Sequence, residues 1–354
     1  MTVSSLHPRA ASASPGAASP AAASPGAEAA GGSGRAHGAE SVTARAYGKI
    51  NLHLGVGDPG TDGYHPLVSV FAALGCAETV TLALAAEDSV TVGGRYAEAG
   101  VPTNRTNLAL AAVRAFRERT GWDARVSIHI DKQVPVAGGM GGGSADAAAA
   151  LRAAAALAGF EDATVLREIA ATLGADVPFA LRGGVALGRG RGDELTPVLA
   201  KGTQHWVLAT STGSLSTPVV YRRLDELRAE AASTAQGAAE AAEVLSGTAQ
   251  LRLAEPTAVL AALASGSTEL LAAAVHNDMT PAAVDLLPDV AHVMDQGRRA
   301  GALAVLLSGS GPTVGFLAQN PTHSLELAVL LEASRGVRRV ARTTGPARGA
   351  HLVE

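Results

Sequence analysis

The residues of this sequence with the most distinctive chemistry form a glycine-rich loop. Five glycines fall within six positions, at 138–139 and 141–143, and Ser144 follows them directly. Glycine lacks a Cβ, so such a loop can bring its backbone N–H groups close to an anion. The alanine-rich stretch 147–156 predicts a helix that starts at the loop, with Ser144 as its N-cap. Because a helix N-terminus adds unpaired N–H groups and partial positive charge, residues 135–150 predict a phosphate site. A flexible linker before a surface helix is the alternative.

A lysine in the first predicted strand is the second group suited to phosphate chemistry. Lysine is scarce, and Lys49, Lys132 and Lys201 are the only residues of this type. After position 48, apolar residues alternate with Lys49, Asn51 and His53. A period of two predicts a half-buried strand that carries these three polar side chains on one face. That face is either an ordinary solvated surface or part of a site.

A carboxylate, Asp176, is the third candidate. It lies in the segment Gly-Ala-Asp-Val-Pro at 174–178, ahead of an apolar stretch. Pro178 disfavours helical backbone at Val177, so the segment predicts a rigid corner with Asp176 in a short loop. A carboxylate in such a loop can accept a proton from a substrate hydroxyl, or it can be a solvated or helix-capping side chain.

The hydrophobic periodicity of the remaining sequence predicts strands and helices that would position these groups. The first half contains predicted strands and helices at 49–56, 80–84, 107–119, 126–130, 147–156 and 162–173. The second half contains predicted elements at 205–210, from 218 onward, 257–276, 282–300, 302–307, 313–317, 324–334 and 337–343. Strands separated by helices, with two glycine-rich turns, predict an α+β fold.

Length and composition predict two domains and a tail. The chain has 354 residues, of which 47% are hydrophobic, enough for two cores. Residues 1–40 are mostly Ala, Ser, Pro and Gly, which predicts a disordered tail, with a plastid transit peptide as the alternative. We place the domains at 41–200 and 201–345, with a solvent-facing Ala/Glu-rich insertion near 229–250.

Charge and cysteine content exclude several classes of protein. The net charge is -4 and no basic block occurs, so neither nucleic acid nor a membrane surface is an expected partner. Cys76 is the only cysteine, which excludes an internal disulfide and a cysteine-based zinc site and fits a cytoplasmic location. No Walker A sequence occurs, and the dinucleotide-binding fingerprint is poor because the glycine cluster does not follow the first strand.

Four stretches taken together resemble the galactokinase, homoserine kinase, mevalonate kinase and phosphomevalonate kinase (GHMP) superfamily. They are 49–51, 135–148, 174–178 and 307–313. The resemblance implies a two-domain GHMP kinase fold, with an N-terminal domain like ribosomal protein S5 domain 2 and a ferredoxin-like C-terminal domain. Within the superfamily, the segments 62–65, 216–218 and 276–278 resemble the branch whose acceptor is 4-diphosphocytidyl-2-C-methyl-D-erythritol.

The resemblance implies an ATP-dependent kinase. It would phosphorylate the 2-hydroxyl of this acceptor in the non-mevalonate route to isoprenoids, with Asp176 and Lys49 as catalytic residues and Mg2+ as a cofactor. Ser144 would lie near a phosphate or Mg2+, with the metal ligands left open. The implied ATP-binding residues are Pro135, Val136, Ala137, Gly138, Gly139, Met140, Gly141, Gly142, Gly143, Ser144 and Ala145.

The same resemblance implies how the acceptor is bound. Tyr64 and Tyr221 would stack on the cytosine, with His65 beside the base edge, and Asn51 and Thr217 would lie near the acceptor. A homoserine or mevalonate-type kinase of the same fold is the alternative, and a nucleotide-binding regulatory or dinucleotide-dependent protein is a further one. The sequence departs from the family pattern at Gly48 and Ala145, where Ala and Ser are usual. Asp146 is interpreted as a favourable charge at the helix start. The oligomeric state stays open.

Overall fold

Two β-sheets, each built mainly from one half of the chain, carry the fold. The computed structural model describes residues 40–97, 100–233 and 253–353. The predicted tail, apart from Glu40, and the predicted insertion beyond residue 233 lie outside the described residues. Among the helices within those ranges, none is long and apolar enough to cross a membrane.

The first sheet is centred on a long antiparallel pair, β1 (Ser41–Val56) and β2 (Leu67–Ala85). The sequence predicts a separate strand at 80–84 after an apolar run. In the structure, the apolar run and residues 80–84 belong to one continuous strand, β2. The other strands of this sheet are β3 (Ser89–Gly93), β4 (Arg125–Asp131), β5 (Val185–Arg189), β6 (Glu194–Pro197), β8 (His276–Asn277) and β12 (His351–Leu352). The sheet has the order β12-β1-β2-β4-β3, with β5 pairing β2 and β6, and β8 pairing β1.

Four helices cover this sheet: α1 (Leu108–Thr120), α2 (Gly142–Ala158), α3 (Ala163–Leu173) and α4 (Val177–Arg182). α2 packs on β1 and β2, and the other three helices pack around it. The alanines at 147–150 are fully buried, and their small side chains allow the helix to approach the sheet closely. The predicted starts of α1 and α3 are confirmed, because the side chains of Asn107 and Asp162 accept hydrogen bonds from the first turn of each helix.

The second sheet is antiparallel, and its order β11-β7-β10-β9 is that of a ferredoxin-like domain, as the resemblance implied. Its strands are β7 (Gln204–Ser211), β9 (Ala304–Leu307), β10 (Val314–Ala318) and β11 (Val337–Gly345). The helices of this half are α5 (Thr217–Ser233), α6 (Thr257–Ser265), α7 (Thr268–Ala274), α8 (Thr280–Leu286), α9 (Pro288–Arg299) and α10 (Pro321–Glu332).

Two predicted helices of the second half are each divided. The helix predicted at 257–276 breaks at Gly266, which takes a left-handed conformation with φ of 79°. The helix predicted at 282–300 breaks before Pro288, because proline disfavours helical backbone in the residue that precedes it. The α+β class is confirmed. β8 and β12, from the second half, join the first sheet, and the domain limits at 200 and 345 stay predictions.

Candidate active site

The glycine loop and the second glycine turn, residues 308–312, fit into each other. Gly139 has a φ of 74°, and a Cβ there would overlap the carbonyl oxygen of Ser308. The Ser308 hydroxyl donates to the Gly139 carbonyl at 3.1 Å. The backbone N–H of Gly311 donates to the Ser308 carbonyl at 2.8 Å, which closes the turn. A loop from the first half is therefore held against a turn between two strands of the second sheet.

Asn277 holds this turn in place through hydrogen bonds. It is buried on β8, and its side-chain amide donates to the carbonyls of Leu307 and Gly309, both at 2.8 Å. β8 is in turn fixed to β1, because the carboxylate of Asp278 accepts the backbone N–H of Val56 at 2.8 Å. The segment 276–278, one of the three that resemble a single branch of the superfamily, thus supports the shape of the turn.

The helix after the glycine loop starts earlier than the composition predicts. α2 begins at Gly142, and its N-cap is Gly141, with a left-handed φ of 69°. The backbone N–H of Ala145 donates to the Gly141 carbonyl at 2.9 Å. The prediction that Ser144 is the N-cap is therefore wrong, because glycine can adopt the turn conformation without a side-chain cap. Ser144 lies instead in the first turn of the helix, on the wall of the cavity that contains Asp176.

Lys49 and Asn51 are buried and hydrogen bonded, so this face of β1 is not an ordinary solvated surface. The Lys49 Nζ donates to Asn51 Oδ1 at 2.8 Å, and the Asn51 amide donates to Ser69 Oγ at 2.8 Å. The backbone N–H of Lys49 donates to the carbonyl of Met140 in the glycine loop at 2.9 Å. This chain of bonds fixes the ammonium next to the loop.

His53 does not share the site with Lys49 and Asn51. A register irregularity in the β1–β2 pair falls between Asn51 and His53. The ring Nε2 of His53 lies 2.6 Å from the carbonyl oxygen of Ala254, and burial lowers the pKa of the imidazole. His53 therefore has a structural contact and is not part of the wall of the cavity that contains Lys49 and Asn51.

Asp176 starts a helix rather than lying in an extended corner. It is the N-cap of α4, and Pro178 occupies a position at the start of the helix where no backbone N–H is required. That is why the proline does not prevent helix at Val177. The Asp176 Oδ2 lies 3.6 Å from the Lys49 Nζ, so the two predicted catalytic groups form an ion pair.

A cavity of about 410 Å³ contains this ion pair. Its lining also includes both glycine elements and the start of α5, through residues Asn51, Gly139, Gly141, Ser144, Gly309, Ser310, Thr217 and Tyr221. The Thr217 and Ser310 hydroxyls are 2.8 Å apart. Burial, and then the charge of Asp176, raise the pKa of Tyr221 to about 12, so its phenol is neutral near pH 7.

The predicted cytosine-stacking residues are only partly brought together. His65, not Tyr64, contacts the ring of Tyr221, with ring centroids 4.8 Å apart, and its Nε2 lies 2.9 Å from Asp225 Oδ1. Tyr64 is 56% exposed, and the guanidinium of Arg191 stacks on its ring at 3.7 Å. Tyr221 and Arg191 line the cavity of Asp176, whereas Tyr64 and His65 are not part of its wall.

A second cavity, of about 380 Å³, lies on another side of the glycine loop. It is lined by loop residues 135–144 and by residues near the start of α1, namely Gly100, Val101, Pro102, Thr106, Asn107 and Leu108. Its wall also includes Lys132 and Asp146. The glycine loop and the first turn of α2 thus border two adjoining cavities. Within the described ranges, no three His, Cys, Asp or Glu side chains converge in a way that could hold a metal ion.

Comparison with known proteins shows which family the chain belongs to. The family profile "GHMP kinases N terminal domain" matches residues 107–184, and "GHMP kinases C terminal" matches residues 259–329. The 4-diphosphocytidyl-2-C-methyl-D-erythritol kinase of Leifsonia xyli subsp. xyli is 46% identical over 316 residues, which cover 89% of this chain and 99% of the relative. The chain belongs to the 4-diphosphocytidyl-2-C-methyl-D-erythritol kinase family.

Solved structures place this kinase family within the wider GHMP fold. A crystal structure of 4-(cytidine 5'-diphospho)-2C-methyl-D-erythritol kinase is 31% identical, with a TM-score of 0.66 over 85% of this chain and 98% of the other. Homoserine kinase from Cytophaga hutchinsonii has the same TM-score of 0.66, over 89% of this chain and 98% of the other, at only 19% identity. The GHMP resemblance is therefore confirmed, and sequence identity rather than overall shape distinguishes the kinase family from its structural neighbours.

Three site features of this kinase were not singled out from the sequence. Ser310 faces Thr217, Arg191 stacks on Tyr64, and Lys132 lies buried below the glycine loop. The scarcity of lysine was a usable signal for Lys132. Ser310 lies within the stretch 307–313 that carries the resemblance, although that stretch does not indicate its contact with Thr217. No pattern in the sequence indicates the contact of Arg191 with Tyr64.

Proposed function

We propose that this protein transfers the γ-phosphoryl group of ATP to the 2-hydroxyl of 4-diphosphocytidyl-2-C-methyl-D-erythritol. The observation that carries the proposal is the Lys49–Asp176 ion pair, which shares one cavity with both glycine elements. Several relatives that are 43–46% identical carry this kinase name. The two domains at 41–200 and 201–345, the cytoplasmic location and a place in the non-mevalonate route to isoprenoids are parts of the same proposal.

Asp176 and Lys49 act on the acceptor hydroxyl. Asp176 orients the hydroxyl and accepts its proton, and the side chain is about one-third exposed, so a substrate can reach it. Lys49 lies between Asp176 and Asn51, and its ammonium stabilises the negative charge that develops during transfer. Phosphoryl transfer requires mainly positioning and charge stabilisation, which a fixed ion pair and a preformed loop supply.

The glycine loop and the first turn of α2 hold the phosphates of ATP. Residues 138–145 combine backbone N–H groups with the positive end of a helix of 17 residues. Mg2+ enters as part of the MgATP substrate, because the polyphosphate charge requires neutralisation. The cavity between the loop and the start of α1 is large enough to take the nucleoside side of ATP.

The cytidine group binds at the other end of the Asp176 cavity. Tyr221 provides a neutral aromatic face, and His65 contacts this face while its Nε2 is held by Asp225. Tyr64 carries Arg191 on its ring, so a base that stacks there has to displace or adjoin the guanidinium. Asn51 and Thr217 also line this cavity, and we expect them to contact the methylerythritol unit.

An ATP-consumption assay across candidate alcohols tests the function. The purified protein is incubated with MgATP and with the cytidine diphosphate substrate, homoserine or mevalonate. We expect turnover with the cytidine diphosphate substrate and no turnover with homoserine or mevalonate. Faster turnover with homoserine or mevalonate would overturn the proposed substrate while leaving the kinase fold intact.

Tyr221→Ala is expected to raise the KM for the cytidine substrate about 5- to 150-fold, because one stacked base contributes about 1–3 kcal/mol. The KM for ATP should stay within about twofold. Tyr221→Phe is the matched control, since it keeps the ring and should bind the substrate nearly as well as the native protein. Steady-state kinetics with each substrate varied in turn measure the effect, and equal changes in both KM values would exclude stacking at this position.

A further inference from the structure

Three buried charged side chains lie directly below the glycine loop. The Lys132 Nζ is 2.7 Å from Glu78 Oε1 and 2.7 Å from Asp146 Oδ2, and all three residues are at most 4% exposed. Glu78 lies on β2, Lys132 follows β4, and Asp146 lies in the first turns of α2. We call this set the charge cluster. Asp146 is therefore a partner of Lys132 beyond the first turn of α2, and its interpretation as a favourable charge at the helix start is wrong.

The charge cluster contacts the loop itself. A Cβ placed on Gly142 would lie 3.1 Å from Glu78 Oε1 and 3.4 Å from Lys132 Nζ, so the cluster fills the space under this glycine. Glu78 also accepts the backbone N–H of Gln133 at 2.9 Å, just before the loop begins. Lys132 and Asp146 form part of the wall of the second cavity.

The cluster contains two carboxyl groups for one ammonium. With all three groups ionised it holds a net charge of −1 in a buried place, and the Asp146 Oδ1 has no hydrogen-bond partner there. Burial raises the pKa of Glu78 to about 7 and that of Asp146 to about 6, against the opposing effect of Lys132. Burial lowers the pKa of Lys132, but the two carboxylates outweigh it and the net shift is upward. The cluster therefore takes up one proton on a carboxyl group as the pH falls through about 7, while Lys132 keeps its charge.

The other titratable groups near the charge cluster are not members of it. Cys76 on β2 has a pKa raised to about 12, by burial and then by the charge of Glu78, and stays a thiol. Asp131, at the end of β4, accepts a hydrogen bond from the side chain of Gln133 at 2.8 Å. Lys49 on β1 is directed to Asp176, and the residue that pairs with Glu78 across the sheet is the buried Ala46.

We propose that binding of ATP at the glycine loop is coupled to proton uptake by the charge cluster, with Glu78 as the main proton acceptor. The inference rests on the proposed ATP site. A nucleotide polyphosphate brings negative charge above a cluster that is itself negative when fully ionised, and protonation of one carboxyl makes the cluster neutral. Glu78 acts through Lys132 and Gly142 and is thus a positioning residue rather than a catalytic one.

The direction of the pH effect follows from this coupling. Bound ATP favours the protonated cluster, so the affinity for ATP is highest below the pKa of Glu78 and falls as the pH rises through about 7. A single charge at roughly 10 Å, at an effective dielectric constant near 20, changes a binding constant by about tenfold. We therefore expect the KM for ATP to rise by about tenfold between pH 6 and pH 8.5.

Titration calorimetry tests the proton uptake directly. MgATP is titrated into the protein without acceptor at pH 7.5, in buffers of low and high ionisation enthalpy, and the dependence of the heat on the buffer gives the number of protons bound. We expect net uptake by the native protein, and less uptake by Glu78→Gln and by Asp146→Asn. Asp131→Asn is the matched control and should behave as the native protein does.

Kinetics separate this role from a merely structural one. In Glu78→Gln the cluster is neutral at pH 8.5, because only the Asp146 carboxylate and the Lys132 ammonium then carry charge. The KM for ATP should therefore be about tenfold lower than native at pH 8.5 and close to native at pH 6. A KM that is higher at both pH values indicates a structural role and overturns the inference. No uptake by the native protein, or equal uptake by the native protein and both variants, also overturns it. Absence of any ATP binding overturns the proposed function and this inference with it.

Discussion

Asp176→Asn is expected to lower kcat by about 10²- to 10⁴-fold, the range that a positioned general base contributes. Asparagine has nearly the same size, but it cannot accept the hydroxyl proton and cannot pair ionically with Lys49. The fold should be preserved, because Asp176 makes no side-chain hydrogen bond to the helix it caps. Single-turnover kinetics at saturating ATP and acceptor measure the chemical step, and chemical unfolding measures stability.

Asp162→Asn is the matched control for this substitution. Asp162 also precedes a helix, and it does cap that helix through hydrogen bonds to the N–H groups of Thr164 and Val165. Asparagine is an equally good N-cap, so kcat and stability should both stay near native values. A kcat within threefold of native in Asp176→Asn would remove Asp176 from the mechanism.

Gly139→Ala is expected to destabilise the protein by about 2–5 kcal/mol and to abolish ATP binding. A left-handed alanine costs about 1–2 kcal/mol. The added methyl group would also overlap the Ser308 carbonyl oxygen, and such overpacking costs about 1–3 kcal/mol. Since the turn at Ser308 and the loop at Gly139 share this contact, relief of the clash moves the backbone N–H groups that we propose bind the phosphates.

Gly121→Ala separates the clash from the backbone strain. Gly121 ends α1 with a φ of 75°, close to that of Gly139, and a Cβ there would meet no atom within 4 Å. The Gly121→Ala variant should lose only about 1–2 kcal/mol of its free energy of unfolding and keep full activity. Urea unfolding and nucleotide binding measure both variants, and equal losses of stability would show that the contact with Ser308 does not matter.

The sequence predicts those features that depend on local patterns. The alternation around Lys49 is enough to predict a strand, although the structure buries both of its faces and not one alone. The side chains of Asn107 and Asp162 mark helix starts that the structure confirms. The α+β class follows from the same patterns. The two-domain fold followed from motif resemblance, and the strand order of the second sheet agrees with it.

The features that local patterns miss depend on long-range contacts. Asp146 was interpreted within its own helix, because Glu78 and Lys132 are distant in sequence from it and from each other. Ser144 was predicted to cap α2, but glycines close the turn before it. The pairing of His65 with Tyr221 and of Arg191 with Tyr64 likewise joins residues more than 120 positions apart, which no periodicity encodes.

The fit between Gly139 and the turn at Ser308 has a consequence for how the gene could be divided. A fragment that ends near residue 200 contains the glycine loop, Lys49 and Asp176, yet it lacks the turn that the loop is shaped against and the strand β8 that borders β1. Such a half-protein would be inactive alone, and activity should return only when the second fragment is supplied. The kinase is thus a candidate for a split reporter, in which reassembly of two separately expressed pieces restores the shape of the glycine loop.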